Sequence, residues 1–191
     1  MSDIAAIAQA AVATFPDVLI PTPLGGLPLP VVMVSIAGEE SCGFNAQAAG
    51  DCGYDLPACG SCTCGPGTGA TSWGAWQIHS IHEDYLRGVT GSSDPCVWSR
   101  WLFDPLNCAK AALWLYQGPS GLDNWTTWTS GTWERSLSQA QMAVTAANAN
   151  GAPTPFTSII PSLGTWALVG FLALGALLVG VGEIEGWNLL G

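Results

Sequence analysis

The sequence predicts a mainly α-helical domain followed by one C-terminal transmembrane helix. Three observations carry that expectation. The chain has 191 residues, which suits one compact domain plus a short extra segment. Several Ala-rich or apolar runs of helical length are closed by proline, glycine or capping residues. Finally, no charged residue occurs from Ser136 to Gly182, and 163–181 is dense in Leu, Val, Ala, Gly and Phe. A helix crossing the hydrocarbon core needs about 20 apolar residues.

The elements follow in order. Ile4 to Phe15 is Ala-rich and reads as a first helix. Pro16, Pro21, Pro23, Pro28 and Pro30, with Gly25 and Gly26, break it and predict an extended linker. Val31 to Glu40 is nearly all apolar, as expected of a short buried helix. Gly43 marks its end, because glycine readily takes the left-handed cap conformation. The Cys- and Gly-rich stretch 50–69 reads as a long irregular loop. Ser72 to Leu86 mixes turn and helix. Asp104 as N-cap and Pro105 at the first helical position start a helix through Tyr116. Ser136 to Ala147 is a further Ala-rich helix. The expected organisation is therefore a domain over 1–148, a linker over 149–161, a transmembrane helix over 162–182 and a tail over 183–191. Trp166 and Trp187 near the ends of the span fit interfacial anchors, and Glu183 and Glu185 stop it.

Composition excludes several functions. The formal net charge is −10, with only four basic residues. A nucleic-acid binder needs a basic face to neutralise phosphates, and no such run exists, so no nucleic-acid partner is expected. The acidic balance also gives no attraction toward anionic polymers, so any polysaccharide must be held by stacking and hydrogen bonds. His79 and His82 do not form His-Glu-x-x-His, which leaves a zinc protease unsupported. Neither cofactor nor metal is expected in catalysis.

Five of the seven cysteines, Cys42, Cys52, Cys59, Cys62 and Cys64, crowd one stretch, while Cys96 and Cys108 stand apart. Clustering in a Gly-rich loop reads as disulfide stapling and an oxidising destination. A structural zinc site is the alternative, since Cys59-x-x-Cys62-x-Cys64 permits it. The opening Met1-Ser2-Asp3 has no basic n-region, so a typical signal peptide is not expected.

Glu39 and Glu40 end the apolar second helix. Burial there disfavours the anion and so favours the protonated form that a general acid needs. On the helix, Glu40 shares a face with Met33, Ile36 and Ala37, and Glu39 with Val32, Ser35 and Ile36. Glu40, on the drier face, is the candidate acid.

The context sharpens that choice. Glu40-Ser41, then Gly43-Phe44-Asn45-Ala46-Gln47-Ala48, resembles the lytic transglycosylase signature, in which a Glu-Ser pair precedes a Gly-Phe-Asn-Pro-x-Ala turn. Ser72-Trp73-Gly74-Ala75-Trp76-Gln77-Ile78 is similar to that family's Ser-Tyr-Gly-Leu-(Met/Trp)-Gln-Ile segment. Leu102-Phe103-Asp104-Pro105-Leu106-Asn107-Cys108-Ala109-Lys110-Ala111-Ala112 resembles its Leu-Phe-Asp-Pro helix start. Trp125-Thr126-Thr127-Trp128 followed by Gly131 is similar to its Trp-Ser-x-(Trp/Tyr)…Gly stretch. The resemblance runs from about residue 4 to about residue 135, with the motifs in the family's order. Cys42 adds one residue between the Glu-Ser pair and the Gly-Phe-Asn turn, which keeps Glu39 as the alternative acid.

The resemblance implies a lysozyme-like fold with a glycan cleft, and cleavage of the MurNAc–GlcNAc β-1,4 bond of peptidoglycan. It implies that Glu40 protonates the leaving oxygen and then takes a proton from the C6 hydroxyl, giving a 1,6-anhydro product. Ser41 is expected to support Glu40 rather than act as a nucleophile. Trp73, Gly74, Trp76, Gln77 and Ile78 are expected to line the cleft, with Gln77 as a polar contact and either tryptophan as a stacking platform. Trp98, Trp101, Trp114 and Trp133 read as packing residues. Two-carboxylate hydrolysis stays open, with Asp51 or Asp55 as the second group. The expected partners are glycan strands, membrane lipid around the C-terminal helix, and other proteins of a virion or envelope machine. The expected location is a single-pass attachment to a virion membrane or bacterial envelope. The competing expectation is a lysozyme-like module that binds glycan and anchors an assembly without cutting.

Overall fold

The computed structural model describes residues 3–55 and 68–151. The expected transmembrane helix, most of the linker before it, the tail, and Cys59, Cys62 and Cys64 lie outside the described residues. Among those described, no helix is long and apolar enough to cross a membrane.

Over the described residues the fold is mainly helical with two small antiparallel sheets. Its centre is α2 (Leu29–Glu40). Every residue of α2 from Leu29 to Gly38 is buried, as a helix apolar on all sides requires. Around it pack α1 (Asp3–Thr14), α7 (Leu137–Ala149) and a 3₁₀ turn over Thr132–Ser136. Ser35, the hydroxyl inside this apolar helix, is satisfied by donating to the Trp133 carbonyl at 2.6 Å. The Ala-rich composition of α1 suits its position, since it packs closely on α2, α5 (Pro105–Tyr116) and α7.

The Pro-rich connection is not the extended linker expected. It forms a β-hairpin of β1 (Leu19–Thr22) and β2 (Gly25–Pro28), in register Leu19↔Pro28 through Thr22↔Gly25. Thr22 Oγ1 closes the turn, donating to the Gly25 carbonyl at 2.7 Å and accepting from Leu24 N–H at 3.1 Å. A two-stranded ribbon consists of edges only, so its prolines need not break a ladder. Ile20 and Leu27 fasten it to the core.

The second sheet has the order β3 (Ala49–Gly50), β4 (Ser72–Trp73), β5 (Ile78–His79). Within the expected turn-and-helix segment, 72–79 is thus a short hairpin whose strands the turn 74–77 joins, and the helical part begins at Ser80. The stretch expected to be an irregular loop is pinned at its base, where Gly53 bridges Gly69. Helix α3 (Glu83–Thr90) follows, then α4 (Pro95–Leu102). Helix α4 was not expected, yet its signal repeats that of α5. Asp94 caps it by accepting from Cys96 N–H at 2.8 Å, with Pro95 next, just as Asp104 accepts from Asn107 N–H at 3.0 Å ahead of α5. A short helix, α6 (Thr126–Thr129), precedes the 3₁₀ turn.

Candidate functional site

Glu40 is the last residue of α2 and is half-buried. Its Oε1 accepts from Thr127 Oγ1 at 2.7 Å and from Thr127 N–H at 3.4 Å. Glu39 is also half-buried, and its Oε1 accepts from Ser136 Oγ at 2.6 Å. The expected contrast between a dry and a wet face is therefore not observed. Because α2 is enclosed on all sides, it is the partners that distinguish the two glutamates.

Ser41 is fully buried. Its hydroxyl donates to the Ala37 carbonyl at 2.5 Å and accepts from Asn45 N–H at 3.0 Å. With both functions used inside the chain, it shapes the helix end. The backbone then reverses through Cys42, Gly43 and Phe44, all in the left-handed region at φ 56°, 88° and 66°. Gly43 N–H donates to the Gly38 carbonyl at 2.9 Å, in keeping with the expected helix end.

The 74–77 turn is tied to this helix by its own side chains. Trp76 Nε1–H donates to the Met33 carbonyl of α2 at 2.7 Å. Trp125 Nε1–H in turn donates to the Trp76 carbonyl at 2.9 Å, which fixes the chain two residues before Thr127. Gly74, at φ +81°, packs so closely that a Cβ there would lie 2.5 Å from both Cys108 Sγ and the Leu102 carbonyl oxygen. The 72–78 segment is thus tied to α2 at Met33, to the 102–112 segment at Gly74 and to the 125–131 segment at Trp125, which in turn carries Thr127 to Glu40.

One expectation for this turn needs correction. The rings of Trp73 and Trp76 are fully buried, Ile78 almost so, and none presents a face to a ligand. The reason is volume: these are among the largest side chains of the core, and Trp76 also packs edge-on against Phe15 with centroids 5.8 Å apart. Trp76 instead ties the turn to α2 and to Trp125. Trp73 Nε1 meets no acceptor among the described residues. Gln77 is half-buried and adopts φ +48°, an uncommon conformation for a residue other than glycine. Its side-chain amide donates to the Gly74 carbonyl at 2.9 Å, which closes the turn on itself. Of the other tryptophans, Trp98 and Trp133 are buried as expected. Trp114 is 44 % exposed and stacks on Tyr85 at 4.4 Å.

Asp51 is exposed, with φ +54°, and its Oδ2 accepts a short hydrogen bond from Ser72 Oγ. His79 Nδ1 accepts from Ile81 N–H at 2.9 Å, leaving Nε2 to face Thr71 Oγ1 at 3.3 Å. The face of this small sheet is therefore polar. Asp55 is exposed at the entry to the Cys-rich stretch. Two surface hollows lie elsewhere, one between α1 and the start of α5, the other beside Cys42–Asn45.

Cys52 and Cys96 are both disulfide-bonded, which supports stapling over zinc for these two. Cys108 is a buried thiol. Burial pushes its pKa up to about 12, with backbone hydrogen bonds from Trp76 and Ala75 opposing the rise. Below that pH it remains a protonated thiol, whereas the thiolate is the reactive form. At pH 8 a soluble thiol reagent is therefore expected to leave Cys108 unmodified in the native protein and to label it once the chain unfolds. Peptide mass spectrometry reads this directly, and native labelling at an exposed-thiol rate would contradict the packing.

Sequence reasoning missed Thr127 and Ser136 as partners of the two glutamates. The only signal for Thr127 was its place inside the Trp125–Trp128 motif. No protein-family model, curated protein or solved structure matches the chain.

Proposed function

We propose that this chain is a peptidoglycan lytic transglycosylase, cleaving MurNAc–GlcNAc β-1,4 bonds with Glu40 as the acid. In this reading the fold is lysozyme-like, the 162–182 segment anchors it in a membrane, and it opens the cell wall locally as part of a virion or envelope machine. One observation carries most weight: Thr127, from a segment 87 residues away, holds the half-buried carboxyl of Glu40, and that segment is linked through Trp125 and Trp76 to the turn 74–77 and to α2. A carboxyl held at a helix end by a fixed donor suits general acid catalysis, which needs geometry before anything else.

The reaction requires no water. Glu40 gives its proton to the leaving GlcNAc oxygen as the bond to MurNAc C1 breaks. The carboxylate then takes the proton of the MurNAc C6 hydroxyl as that oxygen bonds to C1. The acid is regenerated and a 1,6-anhydro ring closes. The exposed Asp51 carboxylate, just after β3, is the candidate second group of a hydrolytic variant, since two-carboxylate enzymes use such a group to activate water.

Incubating the full-length protein in mild detergent with purified peptidoglycan tests the reading. Soluble muropeptides ending in anhydro-MurNAc, lighter than the hydrolysed form by one water, are expected. Hydrolysed ends would shift the mechanism to Asp51 or Asp55. Sedimentation with peptidoglycan without release of fragments would favour the non-catalytic glycan-binding module, and neither binding nor release would overturn both. Retention in membranes after an alkaline carbonate wash is the matching test of the anchor.

A further inference from the structure

We infer that Thr127 decides which oxygen of Glu40 carries the catalytic proton. The inference rests on the transglycosylase reading for its kinetic consequence, but not for its geometry. Glu40 Oε1 faces two donors from one residue, Thr127 Oγ1 at 2.7 Å and Thr127 N–H at 3.4 Å. A hydroxyl can turn and either donate or accept, whereas a backbone N–H can only donate. A proton on Oε1 would point that oxygen's own hydrogen into a region already supplied by the amide. The neutral acid therefore keeps Oε1 as its carbonyl oxygen and holds its proton on Oε2. Glu39 has no such constraint. Its partner, Ser136 Oγ, is a hydroxyl free to reverse, so neither oxygen of Glu39 has an assigned role.

Thr127 is itself held in place. Two residues before it, the Trp125 indole is buried and anchored on the Trp76 carbonyl. The Thr127 carbonyl accepts from Ser130 Oγ at 3.3 Å and Thr132 Oγ1 at 3.4 Å. Next along, Trp128 packs on Trp133 with ring centroids 5.1 Å apart. The donor pair therefore does not need to be ordered when a substrate arrives, which is the condition under which a hydrogen bond contributes to catalysis rather than only to binding.

The consequence is a one-oxygen mechanism. Oε2 gives its proton to the leaving glycosidic oxygen as the C1–O bond breaks. The same Oε2 then receives the proton of the C6 hydroxyl as the new C1–O bond forms. Oε1 stays bonded to Thr127 throughout, and no proton is gained or lost over the cycle. Thr127 is a positioning residue: it acts through Glu40 and touches no reacting atom.

The test has two arms on the full-length protein. In the first, the Thr127 amide resonance is followed by ¹H–¹⁵N NMR as pH is varied. It should move with the ionisation of Glu40, and Glu40→Gln should abolish the movement while Glu39→Gln leaves it. In the second, Thr127→Val keeps the side-chain shape and loses the hydroxyl. It should lower kcat roughly 10- to 100-fold, as loss of a hydrogen bond to a charged group does, with KM little changed. Thr127→Ser should restore kcat to within about threefold, because the hydroxyl supplies the shorter of the two bonds that hold Oε1 while the amide fixes its accepting role. A flat amide titration would overturn the inference whether or not the protein cuts glycan. So would a Thr127→Val enzyme that turns over like the wild type, or one whose loss Ser does not repair. An amide that tracks Glu40 in a protein without turnover would keep the proton assignment and reject the transglycosylase reading instead.

Discussion

Glu40→Gln is expected to leave the fold and glycan binding intact and to reduce turnover about 10²–10⁴-fold, the usual contribution of a general acid or base. The reduction should fall at the upper end, because in the proposed mechanism one carboxyl acts in both steps and the amide can perform neither. The shape is preserved: a Gln oxygen in the Oε1 position still accepts from Thr127, so circular dichroism and thermal unfolding should be nearly unchanged. Glu39→Gln should be much milder, because its partner is the Ser136 hydroxyl and an amide oxygen accepts that bond equally well. Release of soluble fragments from purified peptidoglycan reads both variants. A Glu40→Gln protein that digests at near wild-type rate would reject Glu40 as the acid. An inactive Glu39→Gln with an active Glu40→Gln would mean that the extra residue at Cys42 moves the acid back by one position.

The largest effect on stability is expected at Gly74. A methyl there would sit 2.5 Å from Cys108 Sγ and 2.5 Å from the Leu102 carbonyl oxygen, and one of these neighbours is backbone, which cannot swing aside. Overpacking of this kind costs about 1–3 kcal/mol. The φ of +81° adds a further ~1–2 kcal/mol for a residue with a Cβ. Gly74→Ala is thus expected to lose about 2–5 kcal/mol in denaturant unfolding, combining the two terms. Gly43→Ala separates them. Gly43 has φ +88° but nothing within 4 Å of the added methyl, so it should show only the backbone cost of about 1–2 kcal/mol. Equal losses at the two positions would show that the contact with Cys108 and Leu102 does not matter. Activity should fall with stability in Gly74→Ala, since Trp76, two residues on, connects this turn to α2 and to Trp125.

Much of the fold was legible in the sequence wherever local chemistry decides the outcome. The first helix, the buried second helix and the Asp104-Pro105 start of α5 all rest on residues within a turn or two of one another. So does the reversal after Glu40 at Gly43, because a left-handed backbone is a property of single residues. Helix α4 was missed, although Asp94-Pro95 carries the same local signal as Asp104-Pro105. The hairpin over 19–28 was not, because prolines signal the end of a helix but not whether the next segment finds a partner strand.

The site divides along the same line. Sequence alone singled out Glu40 at the end of an apolar helix and the Trp125–Trp128 segment that holds it. It misjudged Trp73 and Trp76, because the same ring serves either a core or a ligand, and only the packing of neighbours decides which. It had no means of pairing Glu40 with Thr127, 87 residues away, or Glu39 with Ser136, 97 away. Hydroxyls carry no local pattern that announces a distant partner, and each of these bonds exists only because α2 is enclosed by α7, α6 and the 3₁₀ turn. The identity of the candidate acid was therefore a local property of the chain. Which of its oxygens is held, and by what, was decided only when tertiary packing brought Thr127 to the end of that helix.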